Sequence, residues 1–147
     1  MTRQVDGAKG EGKAFSSPND AINAYDYDVV DLRAKVKVLS TDTAKYSQYE
    51  GGIFETTVGR LLFNSVLPSD HAFVNEQLGQ RELFQIIIDL IDEQGTEIVP
   101  KMVDKIKKNG FKFATKSGVT WGIDEVVIPT EKAALVAEGR EQEFEVL

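Results

Sequence analysis

The sequence predicts an α+β fold: a small mixed sheet with strands near 32–39 and 53–59, an antiparallel helix pair near 80–94 and 97–109, and a charged C-terminal helix. Three observations predict it. Leu32, Ala34, Val36 and Val38 alternate with Arg33, Lys35 and Lys37, the period of a strand with one apolar face. Leu83, Ile87 and Leu90, with Phe84, Ile88 and Ile91 beside them, recur at helical spacing and define a broad apolar stripe. Glycines and prolines punctuate the chain between these patterns.

Residues 1–13 carry Gly7, Gly10 and Gly12 among charges and read as an extended leading segment anchored elsewhere. At Ser17-Pro18-Asn19-Asp20 a hydroxyl precedes a proline at the first helical position and a carboxylate lies three residues on. That arrangement serves several orphan amides of a helix start, so a helix is expected from Pro18 to about Tyr25. The first strand follows, and then a polar stretch from Ser40 to Gly52 that ends in Gly-Gly as a hairpin-type loop would. Ile53 to Val58 returns as a β-branched run broken by Gly59-Arg60, and Leu61 to Leu67 forms a short apolar element before Pro68.

Gly95 closes the helix from Gln80 to Gln94. In the next helix Thr96 is the expected cap, Pro100 sits in the first turn, and Val99, Met102, Val103 and Ile106 form the buried face. Lys105, Lys107 and Lys108 fall near its C-terminal end, where the helix dipole favours cations, and Gly110 is expected to stop it. Phe111-Lys112-Phe113 then alternates like a strand, Lys116-Ser117-Gly118 turns, and Val126-Val127-Ile128 is strand-like before Pro129. From Thr130 to Leu147 a charged helix is expected. Its apolar residues Ala134, Leu135, Phe144 and Val146 are too sparse for a core helix, so it reads as one arm of a hairpin.

Composition narrows the function. A chain of 147 residues can bury one modest core, about 68–70% of its unfolded surface. It has no cysteine, which removes disulfides and thiolate metal sites, and no secretion signal or membrane span is read, so a cytoplasmic location is expected. Seventeen basic against twenty-four acidic residues give a net charge of −7, the wrong sign for autonomous nucleic-acid binding. The charge is uneven: Lys101, Lys105, Lys107, Lys108, Lys112 and Lys116 crowd one stretch, and Glu138, Glu141, Glu143 and Glu145 crowd the tail.

Catalytic chemistry finds little support. Asp26, Asp28 and Asp31 form the one tight acidic cluster, but no phosphate loop accompanies it, and a solvated helix end is the better reading. His71 is the single histidine, expected in a structural or surface role; it forms no zinc pair and no recognisable motif with Ser65, Ser69 or Ser117. Gly10-Glu11-Gly12 lacks the third glycine and the strand-to-helix setting of a nucleotide loop. Trp121 reads as a core anchor or a partner-facing aromatic, with the core as the default. The basic strip ending at Lys112 and Lys116 beside Ser117-Gly118 could donate to a phosphate or RNA backbone, or could be a solvated lysine face.

Five stretches in order, GAKGEGKAFSSPNDAINAY, VVDLRAKVKV, ETTVGRLLFNSVLP, FVNEQLGQREL and GFKFATKSGVTWGIDEVVIP, resemble the largest (beta-prime) subunit of bacterial DNA-directed RNA polymerase downstream of its catalytic loop. The resemblance implies a pore-type domain over 1–129, bordering the secondary channel that admits nucleotides and receives the RNA 3′ end during backtracking, and over 130–147 the first, truncated arm of the funnel coiled coil. It implies no catalytic aspartates, cofactor or metal in this segment: the NADFDGD signature would lie upstream of Met1, the bridge helix and trigger loop beyond Leu147, and magnesium in the parent enzyme. The implied partners are the rest of the beta-prime subunit, the beta subunit, the nascent RNA 3′ end, the incoming nucleoside triphosphate and channel-binding transcription factors, with DNA met only through the complex and no membrane. Arg60, Lys112, Lys116 and Ser117 are the candidate channel-lining residues. The alternative is a self-sufficient protein-binding module that docks through its acidic terminal helix.

Overall fold

The computed structural model describes residues 1–41, 44–118, 122, 130–132 and 134–139. The chain divides into two compact units, Met1–Lys116 and Ser117–Leu147. The first is α+β, with the order β1 (Ala14–Phe15), α1 (Pro18–Asp26), β2 (Lys35–Leu39), a 3-10 helix (Ala44–Tyr49), β3 (Ile53–Thr57), α2 (Val58–Asn64), α3 (Gln80–Gln94) and α4 (Val99–Ser117). In the second unit residues 132 and 134–139 are helical and exposed, in keeping with the charged C-terminal helix over that part of its expected range. The expected strand at 126–128, Trp121 and the end of the terminal helix at 140–147 lie outside the described residues.

The sheet has the order β1-β2-β3, with β1 parallel and β3 antiparallel to β2. Val36 and Val38, both fully buried, point from β2 into the core, and Val38 faces Phe54 across the ladder. On the other face Lys37 stands opposite Glu55, while Lys35 pairs with Glu55 diagonally. The two-residue β1 had no signal in the sequence, and it corrects the expectation for the leading segment. Residues 1–13 are anchored on this domain, through Val5 N–H to Arg33 O at 3.1 Å, Gly12 N–H to Lys35 O at 2.8 Å, and Lys9 O accepting from Asp31 N–H at 2.8 Å. Helix α1 starts as expected, with the Ser17 hydroxyl accepting from Asp20 N–H at 3.1 Å and Pro18 in the first turn.

Two hydrophobic clusters form, and α2 feeds both. Ala21, Val30, Ala34, Val36, Val38, Phe54, Val58, Leu61 and Phe73 build one around the sheet; Phe63, Leu67, Ile86, Leu90 and Val99 build the other around α3 and α4. Leu61 and Phe63 sit on opposite sides of the short α2, and burial of each such side chain contributes about 1.5–3 kcal/mol. Tyr49 stacks on Phe54 at 4.1 Å, and Phe73 meets Phe54 edge-on at 5.3 Å, which fastens the 3-10 helix and the segment after α2 onto the sheet.

Several sequence expectations need correction: the strand near 32–39 is confined to Lys35–Leu39, and Phe111-Lys112-Phe113, expected to alternate as a strand, lies inside a helix. The strand over 53–59 ends at Thr57, whose hydroxyl caps α2, so Gly59 and Arg60 lie in a helix. The stripe on α3 is narrower than its spacing implied: Ile86 and Leu90 are buried with Leu83 and Ile87 packed beside them, whereas Phe84 is 64% and Ile91 38% exposed. The helix expected over 97–109 runs from Val99 to Ser117, so Thr96 is not its cap and Gly110 does not stop it. A glycine inside a helix costs about 1 kcal/mol, less than the added turns of hydrogen bonding return. The chain leaves the helix at Gly118, which adopts φ 63°.

Gly59 is required by crowding. A Cβ there would stand 2.2 Å from Met1 O and 3.1 Å from Leu32 O, the carbonyl that accepts the Gly59 N–H at 2.8 Å. Alanine would gain about 1 kcal/mol of helix propensity and lose more to the clash. Gly59→Ala should therefore lower stability by about 1–3 kcal/mol in urea unfolding.

Candidate functional site

Helix α2 ends inside the protein, where its last carbonyls need donors. The Lys45 ammonium, carried by the 3-10 helix and buried, donates to Asn64 O and, at 3.0 Å, to Leu67 O. A cation at a helix C-terminus also meets the negative end of its dipole. Burial pushes the Lys45 pKa below its ordinary value, and the nearby Asp70 carboxylate partly opposes that shift. Asn64, 1% exposed, donates through Nδ2 to Arg60 O and Val74 O and accepts the Val74 N–H at Oδ1, each at 2.8 Å.

Arg60 completes this anchor. Its Nε donates to Thr2 O at 3.1 Å and its Nη1 to Asn75 O at 2.9 Å and Asn75 Oδ1 at 3.1 Å. The Thr2 hydroxyl in turn accepts the Leu78 N–H at 3.0 Å. Desolvation lowers the Arg60 pKa, against the attraction of Glu76. The guanidinium thus ties the leading segment to the connection between α2 and α3. That connection delivers α3, whose start is fixed by the Glu82 carboxylate accepting Gly79 N–H at 2.8 Å.

The second feature is the polar face of α4. Lys101, Lys105, Lys108, Lys112 and Lys116 follow spacings of four, three, four and four, which keep them on one side of the helix. Val99, Val103 and Ile106 face the other way, into the α3–α4 cluster. Lys108 pairs with Asp104 at 2.8 Å, and Lys107, off the stripe, lies 3.8 Å from the same carboxylate. Lys116 Nζ sits 5.2 Å from the centre of the Tyr25 ring on α1, a cation–π contact that joins the two helix ends. An open groove of about 420 Å³ lies between the end of α2 and α4, lined by Ser65, Val66, Lys105, Lys108, Asn109 and Lys112.

The candidate residues from the sequence are therefore dispersed by role. Lys112 and Lys116 share the basic face of α4, Arg60 is half-buried in the anchor, and Ser117, exposed, is the last residue of α4. Lys45 and Asn64 were missed because nothing in a polar loop or a short apolar run marks a buried donor. The Lys101-to-Lys116 stripe was written in the spacing and was hidden by the expectation of a stop at Gly110. Among the described residues no three acidic or histidine side chains gather as a metal site. Asp28 instead binds Lys9 at 2.6 Å, and an Asp31 carboxylate oxygen accepts the Arg33 N–H at 2.8 Å. His71 is structural, buried with Nδ1 2.9 Å from Glu93 Oε2.

Residues 1–126 match the model of the family described as RNA polymerase Rpb1, domain 3. The chain belongs to that family. Curated relatives named DNA-directed RNA polymerase subunit beta' include one from Sulfurihydrogenibium sp., 41% identical over 136 residues, covering 92% of this chain and 8% of the relative. Others are from Saccharopolyspora erythraea, 42% identical over 144 residues with 92% and 11% covered, and Heliobacterium modesticaldum, 40% identical over 148 residues with 94% and 12% covered. The chain spans about a tenth of the length of these relatives. The Rpb1 domain 3 match spans both the anchor and the basic helix.

The anchor and the basic face should respond differently to substitution. Arg60→Met strands Thr2 O and Asn75 O and should cost about 1–3 kcal/mol in urea unfolding, whereas Lys116→Met, at an exposed cation–π contact, should cost no more than about 1 kcal/mol.

Proposed function

We propose that this chain serves as a non-catalytic wall segment of a DNA-directed RNA polymerase largest (beta-prime) subunit, bordering the secondary channel that admits nucleotides and receives a backtracked RNA 3′ end. In this reading residues 1–129 are the pore-type part and the residues from 130 begin the funnel arm. The observation that carries it is the meeting of Lys116 with Tyr25. These residues belong to GFKFATKSG and SSPNDAINAY, two of the polymerase-like stretches, and the contact gathers them on one surface with a cation held at a fixed ring.

The physical role is to shape and charge a passage. A cationic helix face beside a low-dielectric wall raises the local concentration of triphosphates and guides them by their field, although the chain as a whole is acidic. Lys112 and Lys116 are the residues assigned to this task, with Ser117 beside them as a hydroxyl donor. Arg60 contributes by holding the wall in shape. Magnesium-dependent nucleotidyl transfer belongs, in this reading, to parts of the enzyme outside this chain. The partners are the rest of the beta-prime subunit, the beta subunit, the nascent RNA end and channel-binding factors, and DNA is met through the complex.

In an assembled polymerase carrying this segment, Lys116→Glu should raise the KM for nucleotides or change the rate of backtracked-transcript cleavage about threefold or more, with assembly intact, because it reverses one charge at the channel wall. Elongation and cleavage kinetics equal to the parent enzyme's would remove Lys116 from the channel.

A further inference from the structure

The geometry points to an oligophosphate-binding groove between the end of α2 and the middle of α4, formed by Lys105, Lys108 and Lys112 over a floor of Ser65, Val66 and Asn109. It lies apart from the Lys116–Tyr25 contact and shares Lys112 with the residues assigned to the channel wall.

Three arguments carry it. The first is charge. In a chain of net charge −7, three lysines line one groove, and among the described residues neither Lys105 nor Lys112 has an acidic partner; Lys108 has Asp104. The second is the state of the opposite wall. The C-terminal end of α2 would ordinarily repel an anion with its free carbonyls. Here Leu62 O accepts from the Ser65 hydroxyl at 2.8 Å, while Asn64 O and Leu67 O accept from Lys45, so the negative end of α2 is already neutralised from within.

The third argument concerns which anion. Spacings of three and four residues set the lysines on successive turns, about 5.4 Å apart along the helix. One tetrahedral phosphate engages one turn, or two at most, and a linear chain of phosphates can engage all three. Among the described residues no aromatic ring lines the groove as a platform on which a base could stack. Recognition therefore falls on the phosphate chain and not on a nucleoside, and lysines suit it because they act as point charges with adaptable reach.

The test is to titrate the 147-residue chain with inorganic tripolyphosphate, with orthophosphate and with ATP at low ionic strength, reading the amide shifts of Ser65, Val66 and Asn109 by NMR. Tripolyphosphate should move these three amides together and bind about tenfold more tightly than orthophosphate, with ATP no tighter than tripolyphosphate. The Lys105→Gln/Lys112→Gln pair should weaken binding about tenfold, Lys107→Gln on the same helix but outside the groove by less than about twofold, and Lys105→Arg/Lys112→Arg should restore it. Equal losses from Lys107→Gln and from the groove pair would mean diffuse attraction and overturn the site. So would tripolyphosphate shifts that bypass Ser65, Val66 and Asn109. ATP binding far above tripolyphosphate would overturn the choice of ligand.

Discussion

A buried helix end is costly unless its carbonyls find donors; in this protein Lys45 and Asn64 meet that requirement at α2, and Arg60 ties the same helix to Thr2 and Asn75. Each of the three also holds something distant in sequence. Lys45 brings the 3-10 helix to the end of α2, Asn64 captures the backbone of Val74, and Arg60 joins Thr2 to Asn75. The connection from α2 to α3, a stretch with no regular secondary structure of its own, is thereby fixed by side chains in place of a ladder. Because α3 and α4 are reached only through that connection, the position of the basic helix depends on the anchor.

The two hydrophobic clusters add cohesion, and the polar contacts supply direction. Phe73, Leu67, Val74 and Leu78 hold residues 66–79 against the two clusters, and the Asn64 oxygen accepting the Val74 N–H fixes their register. The outcome is a rigid support for a helix whose charged side is unlike the rest of the molecule. Five lysines on α4 face away from the apolar side that packs against α3, and their field acts locally because screening confines it to about 10 Å at ordinary salt. A strongly acidic chain can in this way present a cationic surface at one place.

Much of the fold is legible in the sequence, and the limits are physical. Strand β2, the Ser17-Pro18 start of α1 and the Gly95 end of α3 follow from local rules that act within a few residues. Strand β1 has no such signal, since two residues pair only because β2 is already there. Gly110 misled because one glycine costs a helix only about 1 kcal/mol and does not stop it when the flanking residues go on hydrogen-bonding, and Gly59 read as a break when its role is to let Met1 and Leu32 backbone approach α2. Of the candidate site, the lysine stripe lies in the spacing once α4 is allowed its full length. The buried pairing of Lys45 with Asn64 O and Leu67 O joins positions about twenty residues apart, and no periodicity encodes it.

The central claim is that side-chain acceptors make the connection between α2 and α3 a structural member on which the basic helix depends. Amide hydrogen exchange of Val74 and Leu78, whose N–H groups go to Asn64 Oδ1 and Thr2 Oγ1, tests it directly. Both amides should exchange as slowly as those of Val36 and Val38 in β2. Exchange at the rate of an open loop, while β2 stays protected, would contradict the account.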